Sequence, residues 1–173
     1  GYWYYTRFET GRQYPIFARR KGSMDAPEEI TLNGNERAEG HDYYQAANVV
    51  FSEDGTLMAV AEDTVGRREY TVRFKNMASG EWLPDVIEDV EASIVFADDP
   101  KVVYLVEKDK TTLLPFRIKR HTLGNPYAEA ETVYEEKDNT FYTTIFRTKN
   151  DRYLAIYSGS TLTTEMRMGL ASD

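Results

Sequence analysis

A repeat of about 45 residues is the feature of this sequence that most restricts its fold. Each copy combines an apolar run that ends at phenylalanine, a polar turn and a second apolar run. The copies are Val49–Val60, Ile94–Leu105 and Thr144–Ala155, with their phenylalanines at positions 51, 96 and 146. A fixed period of this length indicates an architecture built from one repeated supersecondary unit.

A second set of positions repeats with nearly the same spacing. Arg73, Arg117 and Arg167 each stand between apolar residues, and the alternation in Tyr70–Lys75 is typical of a half-buried antiparallel strand. Further β-prone segments follow the first two copies, at Glu81–Glu88 and Ala130–Glu135. The unit therefore has four strands, which is the strand count and length of a β-propeller blade.

The sequence thus predicts an all-β chain, a partial β-propeller of roughly four four-stranded antiparallel blades. The predicted units are a partial blade over 1–36, blades over 37–90 and 91–139, and a partial blade over 140–173. The first unit has strands at Tyr2–Arg7, Tyr14–Arg19 and Glu29–Asn33 but lacks the first, innermost strand. We expect a fragment of a larger propeller. A complete four-bladed ring would need Gly1–Arg7 to pair with the last blade.

Composition excludes several classes of protein. The 173 residues carry a formal net charge of −8, which argues against a general nucleic-acid binder. No apolar run approaches the ~20 residues that a membrane-spanning helix needs. The sequence has no cysteine, which excludes disulfides and thiolate chemistry and is compatible with the cytoplasm, where we expect the protein.

No catalytic residue is predicted in this chain. A serine hydrolase usually carries its nucleophile in Gly-x-Ser-x-Gly, which does not occur, and Ser158-Gly159-Ser160 is interpreted as part of a hairpin turn. His41 is expected in an exposed loop and His121 at a polar strand end, so neither is a good candidate for a general base.

Metal and cofactor sites are not predicted either. Two distant histidines do not form a zinc site, and the paired acidic residues do not match a calcium loop. The pairs are Glu53-Asp54, Glu62-Asp63, Asp98-Asp99 and Glu135-Glu136. We interpret them as solvated carboxylates, mostly at turns, although a glycosidase dyad stays open because sequence does not give carboxylate separations.

The remaining polar and aromatic clusters receive structural interpretations. We expect the repeated arginines to cover the sheets and pair with acidic neighbours, although a ligand site built from equivalent positions stays open. Arg19–Lys21 is interpreted as a short basic patch, and Tyr2–Tyr5 as core and edge packing.

Several stretches resemble the prolyl oligopeptidase family of serine peptidases, most closely its oligopeptidase B (protease II) branch. They are Gly1–Arg7, Gly11–Lys21, Gly40–Tyr44, Phe51–Thr64 and Ser158–Glu165. The resemblance implies a seven-bladed propeller that caps an α/β-hydrolase domain and restricts entry to short peptides, which are cleaved after Arg or Lys. The hydrolase domain, with its Ser, Asp and His, is not found in this sequence, so no catalytic residue is transferred to any position here.

Two hypotheses follow for function. The first is a substrate-gating propeller part of a serine oligopeptidase, inactive alone, whose partners are the hydrolase domain and, as substrates of the longer protein, short basic peptides. The second is a non-enzymatic module that binds a protein or peptide, with Asn35–Tyr44 as its first candidate surface. The substrate-binding residues are not predicted. Exposed blade faces and strand edges also predict self-association of the chain.

Overall fold

The computed structural model describes residues 1–172 and confirms the all-β prediction, since its paired strands are all antiparallel. The strands are β1 (Tyr2–Arg7), β2 (Ile16–Lys21), β3 (Glu29–Asn33), β4 (Gln45–Phe51), β5 (Leu57–Asp63), β6 (Tyr70–Asn76), β7 (Trp82–Phe96), β8 (Val102–Lys108), β9 (Pro115–Thr122), β10 (Glu131–Glu135), β11 (Tyr142–Arg147), β12 (Tyr153–Gly159) and β13 (Thr164–Leu170). One helical turn, α1 (Gly34–Arg37), follows β3, and a 3-10 turn spans Tyr127–Glu129.

Three sheets hold these strands. β1-β2-β3 and β11-β12-β13 are three-stranded meanders, and β4 to β10 form one seven-stranded sheet in sequence order. Because β7 serves first as the outer strand after β6 and then as the inner strand before β8, this sheet comprises two four-stranded blades. We call the units blade 1 (β1–β3), blade 2 (β4 to the first half of β7), blade 3 (the second half of β7 to β10) and blade 4 (β11–β13).

The junction between blades 2 and 3 differs from the sequence expectation of separate strands. β7 runs for 15 residues without a break in strand structure, so residues 90 and 91, where one predicted unit ends and the next begins, lie inside it. The crossing is marked by Asp89, which has φ +60°, and by a shift in pairing register between Val90 and Ile94. The repeat in the sequence identifies the strands that recur in each blade. It does not show that the segment joining blades 2 and 3 stays in strand conformation.

Alternation along the second strand of each blade explains how the blades stack. In β5, Met58 and Val60 pack toward blade 1, whereas Ala59 and Ala61 pack into the cluster shared with blade 3. In β8 the same alternation divides residues 102–106 between the clusters on the two sides of blade 3. Both faces of these strands are therefore buried, which is why they read as continuous apolar runs rather than alternating ones.

The edges of the outer units are open within residues 1–172. β1 pairs with β2 alone and β13 with β12 alone, so the pairing of Gly1–Arg7 with the last blade that a closed four-bladed ring requires is not found. The last predicted unit extends to Asp173, which lies outside the described residues. In the described part of the chain, no helix is long and apolar enough to cross a membrane.

Candidate functional site

The inner edges of the four blades meet around a groove of about 660 Å³. Blade 1 contributes Tyr4, and the other three blades contribute the ends of their innermost strands. The main lining segments are Asn48–Glu53, Ser93–Phe96 and Ile145–Arg147, together with Asp151. The three phenylalanines that define the repeat, Phe51, Phe96 and Phe146, all belong to this lining. The groove is therefore where the repeat brings equivalent positions together.

Polar side chains tie the neighbouring inner strands to one another. Asn48 Nδ2 donates to the carbonyl of Ala92 at 2.8 Å, which joins blades 2 and 3. The hydroxyls of Ser93 and Thr144 lie 2.8 Å apart, which joins blades 3 and 4. These contacts fix the separation of the inner strands, and hence the width of the groove.

Arg147 closes one end of the groove by binding three blades at once. Its guanidinium donates to the carbonyl of Phe96 at 3.0 Å, to Glu53 Oε2 at 3.0 Å and to Asp98 Oδ1 at 2.5 Å. The carbonyl oxygen of Asp151 accepts two further hydrogen bonds from it. Three carboxylates, of Glu53, Asp98 and Asp151, thus surround one cation and leave this end of the groove acidic.

The turns between strands lie on two opposite faces of the molecule, and the contacts of Arg147 bring the turns after the inner strands of blades 2, 3 and 4 together on one of them. Face A carries the turns after the inner strands, at residues 52–56, 97–101 and 148–152. Face B, at the other end of the strands, carries the turns between the second and third strands of blades 2, 3 and 4, at residues 64–69, 109–114 and 160–163. Lys108 confirms this grouping, because its Nζ donates to the carbonyl of Arg68 and lies 4.0 Å from Glu91 of the blade 2 to blade 3 crossing.

The predicted exposed loop after blade 1 is partly ordered around a buried carboxylate. Glu62, in β5, accepts hydrogen bonds from Arg37 of α1 at 2.7 and 2.6 Å and from the Tyr44 hydroxyl at 2.8 Å. Arg73 lies 3.7 Å from the same carboxylate. Burial, with the nearby charge of Glu62, raises the pKa of Tyr44. The interpretation of Glu62 as a solvated carboxylate is wrong: it fastens the blade 1 to blade 2 connection.

Its sequence neighbour Asp63 is also buried, so the interpretation as a solvated carboxylate is wrong for it too. Burial opposes its ionisation, but backbone N–H groups of Val65, Gly66 and Arg68, each at 2.8 Å, outweigh that effect and lower its pKa. Asp63 therefore holds a turn while Glu62 holds a connection. Adjacent carboxylates of this pair are not arranged as a catalytic dyad.

The two histidines do not form a catalytic site. His41 is exposed, as expected. His121 lies at the end of β9, as expected, but its side chain is buried, with Nε2 3.3 Å from Asp85 Oδ1 and its ring edge-on to Tyr127. Asp85 also accepts the Gly124 N–H at 2.8 Å, so it anchors the end of blade 3 to blade 2. Within residues 1–172, no hydrogen bond joins either histidine to a serine.

Ser158-Gly159-Ser160 lies where the sequence places it, at the end of β12 and the start of the following turn. Ser158 is buried and donates to Glu136 Oε2 at 2.5 Å, and the Tyr134 hydroxyl donates to the same oxygen at 2.7 Å. These two hydrogen bonds lower the pKa of Glu136 to about 2. The serine thus joins blade 4 to the outer strand of blade 3 and is not a nucleophile.

The repeated arginines make the expected ion pairs. Arg117 contacts Glu107 and Glu135 at 3.0 and 2.9 Å, and Arg167 contacts Glu165 at 2.7 Å. The basic patch at Arg19–Lys21 is a wrong interpretation, because Arg19 is buried, paired with Glu29 and hydrogen-bonded to the carbonyl of Gly55. Its guanidinium also stacks 4.0 Å from the Tyr2 ring centroid.

The described residues contain no group of three or more His, Asp or Glu side chains arranged to hold a metal ion. The arrangement that remains is a stack of blades around a groove, with carboxylates at one end. Residues 1–171 match the family model for the prolyl oligopeptidase N-terminal beta-propeller domain. The chain belongs to this family. The propeller prediction and the family resemblance are thereby confirmed.

Individual relatives show how far the similarity extends along this chain and along theirs. It is 41% identical to dipeptidyl aminopeptidase BI of Pseudoxanthomonas mexicana and 30% identical to Protease 2 of Moraxella lacunata, in each case over 96% of this chain. Oligopeptidase B from Leishmania major superimposes with a TM-score of 0.91 at 28% identity, covering 98% of this chain and 24% of that one. The chain spans about a quarter of the length of the curated relatives it matches.

Proposed function

We propose that this chain is the substrate-gating part of a serine oligopeptidase that cleaves short peptides after Arg or Lys, and that the chain alone is inactive. The observation that carries the proposal is the groove at the inner edges of four stacked blades, in a chain of the prolyl oligopeptidase family. In the longer protein, the propeller covers an α/β-hydrolase domain that supplies the Ser, His and Asp.

Gating follows from the rigidity of the groove. Side-chain hydrogen bonds join the inner strands of blades 2, 3 and 4, and Arg147 closes their ends, so the opening has little freedom to widen. A free peptide end passes such an opening, whereas a folded protein does not. Size selection then requires no recognition of sequence.

Inactivity of the chain alone follows from the chemistry of acyl transfer. A serine nucleophile needs an imidazole within hydrogen-bond reach to take its proton, and a third group to orient that imidazole. Here the buried imidazole is paired with Asp85 at a blade junction, and the exposed one of His41 has no serine beside it in residues 1–172. No arrangement of described residues supplies the missing pair.

Charge supports the preference for basic peptides. The net charge of −8 and the carboxylates of Glu53, Asp98 and Asp151 favour the approach of cations, because the summed field raises their local concentration and association rate. Salt screens such steering.

We therefore expect kcat/KM of the full-length protein for dibasic peptides to fall as ionic strength rises, with a smaller change for a neutral peptide of equal length.

A specific observation favours a second candidate for the specificity of the full-length protein. The 41% identical relative carries the name dipeptidyl aminopeptidase, which describes removal of dipeptides from a free amino terminus. In that case the same gate serves an exopeptidase. The two candidates differ in whether an acylated amino terminus is tolerated.

The test uses one chromogenic peptide with arginine before the scissile bond, prepared with a free and with an acylated amino terminus. We expect the full-length protein to hydrolyse both forms and the 173-residue chain to hydrolyse neither. Hydrolysis of the free form alone supports the dipeptidyl activity instead. Turnover by the pure 173-residue chain, retained through successive purification steps, contradicts the proposal that the chain is inactive.

We also propose that the 173-residue chain by itself associates through β13, an edge strand within the described residues. In an antiparallel pair centred on Met166, Glu165 lies opposite Arg167 of the second copy, and Thr164 lies opposite Met168 of the second copy. Met166 and Met168 are both more than half exposed. This register joins opposite charges on one face of the pair and covers methionines on the other.

Because the chain has no cysteine, single-cysteine variants test this register directly. We expect Met166→Cys to form a disulfide-linked dimer on mild oxidation. Thr164→Cys alone should not, since its copies are offset by four residues, or about 14 Å along the strands at ~3.4 Å per residue, but it should cross-link when mixed with Met168→Cys. Equal cross-linking of Thr164→Cys alone, or monomeric sedimentation of the native chain at high concentration, contradicts the proposal.

A further inference from the structure

Adjacent basic residues occur at three places in this sequence, and one of the three lies outside the strands. Arg19–Lys21 and Lys119-Arg120 belong to β2 and β9, whose backbones are paired with strands on both sides. Arg67-Arg68 lies instead in the face B turn between β5 and β6, where residues 65–69 are exposed. Exposed turns are preferred sites of proteolytic cleavage. Exposure alone therefore marks this turn as a target for peptidases that cut after basic residues.

Two side chains hold the backbone of Arg68 from opposite sides. Asp63 Oδ2 accepts its N–H at 2.8 Å, and Lys108 Nζ donates to its carbonyl oxygen. Asp63 also accepts the N–H groups of Val65 and Gly66. Arg68 has φ +58°, in the left-handed region that such a residue adopts where its surroundings impose it. The turn is therefore held in a compact conformation rather than an extended one.

These contacts occupy the atoms that take part in peptide-bond hydrolysis. A serine peptidase binds the oxygen of the scissile carbonyl in its oxyanion hole and protonates the departing nitrogen. For the Arg68–Glu69 bond, that oxygen is already bound by the ammonium group of Lys108. For the Arg67–Arg68 bond, the departing nitrogen is the one that donates its N–H to Asp63. Both bonds are therefore protected until the turn opens.

The two protecting side chains come from different blades. Asp63 belongs to blade 2, like the turn itself, whereas Lys108 belongs to β8 of blade 3. The Lys108 side chain is 5% exposed, and its Nζ lies 4.9 Å from the centroid of the Tyr70 ring at the start of β6. The stacking of blade 3 on blade 2 thus positions the ammonium group. If these blades separate, the carbonyl of Arg68 loses its donor while the turn stays attached to blade 2.

We propose that Arg67-Arg68 is a conditional cleavage site for serine peptidases that cut after basic residues, masked by Lys108 as long as blades 2 and 3 are stacked. Cleavage adds one water across the peptide bond: the C–N bond breaks, the carbonyl carbon gains the hydroxyl, and the departing nitrogen gains the proton. A chain whose blades have separated is then cut here, and a stacked chain is spared. This inference goes beyond the proposed function, because it concerns the chain as the substrate of another peptidase.

The test is brief digestion of the full-length protein with trypsin, with the cleaved bonds identified by mass spectrometry. Lys108→Met removes the donor to the Arg68 carbonyl. We expect cleavage at Arg68–Glu69 to become about tenfold faster or more, because cleavage through local opening follows the population of the open turn. Lys110→Met is the matched control, since it removes the same charge from a side chain that is 82% exposed and pairs with Asp89. It should leave this rate unchanged.

Two other bonds in the same digests serve as references. Arg12–Gln13 lies in the corresponding turn of blade 1, at residues 8–15, and Arg12 is exposed. This turn is also on face B, because the N–H of Gly34 in α1 binds the carbonyl of Pro15 and α1 reaches the face B end of β5. In the native protein we expect Arg12–Gln13 to be cut at least about tenfold faster than the masked turn. The bond after Arg120, inside β9, reports unfolding of blade 3.

Faster cleavage at Arg68–Glu69 in Lys108→Met, with the bond after Arg120 still protected, supports the inference. Three results overturn it. The native turn is cut as fast as Arg12–Gln13, or Lys108→Met is cut no faster than Lys110→Met. In the third, Arg68–Glu69 and the bond after Arg120 are cut at equal rates in Lys108→Met, so that unfolding of blade 3 exposes the turn. None of these readouts uses the peptidase activity of the protein, so the proposed function fails or stands separately.

Discussion

Arg37→Met is expected to lower the free energy of unfolding of the chain by about 2–3 kcal/mol, because it breaks an ion pair that is buried at the carboxylate and partly exposed at the guanidinium. The Glu62 side chain is 4% exposed and receives two hydrogen bonds from Arg37, so the substitution leaves a buried carboxylate without its main partner. Methionine keeps an apolar stem near the Trp82 ring, over which the guanidinium now lies at 4.7 Å. The decrease in the free energy of unfolding is therefore due to the lost ion pair rather than to lost packing. Urea unfolding measures it.

A double-mutant cycle distinguishes the pair from its surroundings. The cycle also includes Glu62→Met alone. Adding Glu62→Met to Arg37→Met removes the stranded carboxylate and should recover about 1 kcal/mol, since an apolar pair can replace a buried ionic one but the buried Tyr44 hydroxyl loses its acceptor. Arg12→Met, at an exposed arginine, is the control and should change stability by less than about 0.5 kcal/mol. If Arg37→Met costs no more than this control, α1 does not fasten blade 1 to blade 2.

The sequence predicts those structural features that are set by the residue pattern within a single strand. In β6, alternation gives Val72 and Phe74 to the core and Arg73 to the partly exposed face, and the structure agrees. The repeated phenylalanines likewise fall at equivalent ends of the inner strands. These features follow from a period of two along a strand and a period of one blade along the chain.

The contacts between blades could not be predicted in this way. Glu62 binds Arg37 and Tyr44, and His121 binds Asp85, across sequence separations that no period sets. Which residues meet depends on the angle at which one sheet stacks on the next. Glu62 and Asp63 have the same local sequence character, yet one fastens a connection and the other a turn. Local composition predicts solvated carboxylates for both, and it is wrong for both: Glu62 is buried against the Arg37 cation, and Asp63 is buried against backbone N–H groups of its own turn.

The candidate site likewise has one part that the sequence predicts and one part that it does not. The sequence places Phe51, Phe96 and Phe146 at equivalent positions, from which a shared groove follows once the blades stack. It gives no sign that Arg147 binds Glu53 and Asp98, because Arg147 occupies the repeat position held by Ser52 and Ala97 in the other blades. A residue that departs from the repeat is the signal that could have identified it.

Stacking of blades 2 and 3 should depend most on Phe74. Its side chain is fully buried in the cluster that the two blades share and meets Phe96 edge-on, with ring centroids 6.4 Å apart. Phe74→Ala leaves a cavity between two sheets that β7 already joins covalently, so the sheets have little freedom to close it. We expect a loss of about 3–5 kcal/mol in the free energy of unfolding, measured by urea denaturation.

Phe8→Ala makes the same chemical change at an exposed position on face B and is the matched control. In the isolated chain it should alter stability by less than about 0.5 kcal/mol. Phe74→Leu should fall between the two, because it restores part of the buried volume. Equal losses for Phe74→Ala and Phe8→Ala would mean that blades 2 and 3 are held by β7 and the polar contacts at their edges alone. Face-to-face packing would then not be what orders the blades around the groove.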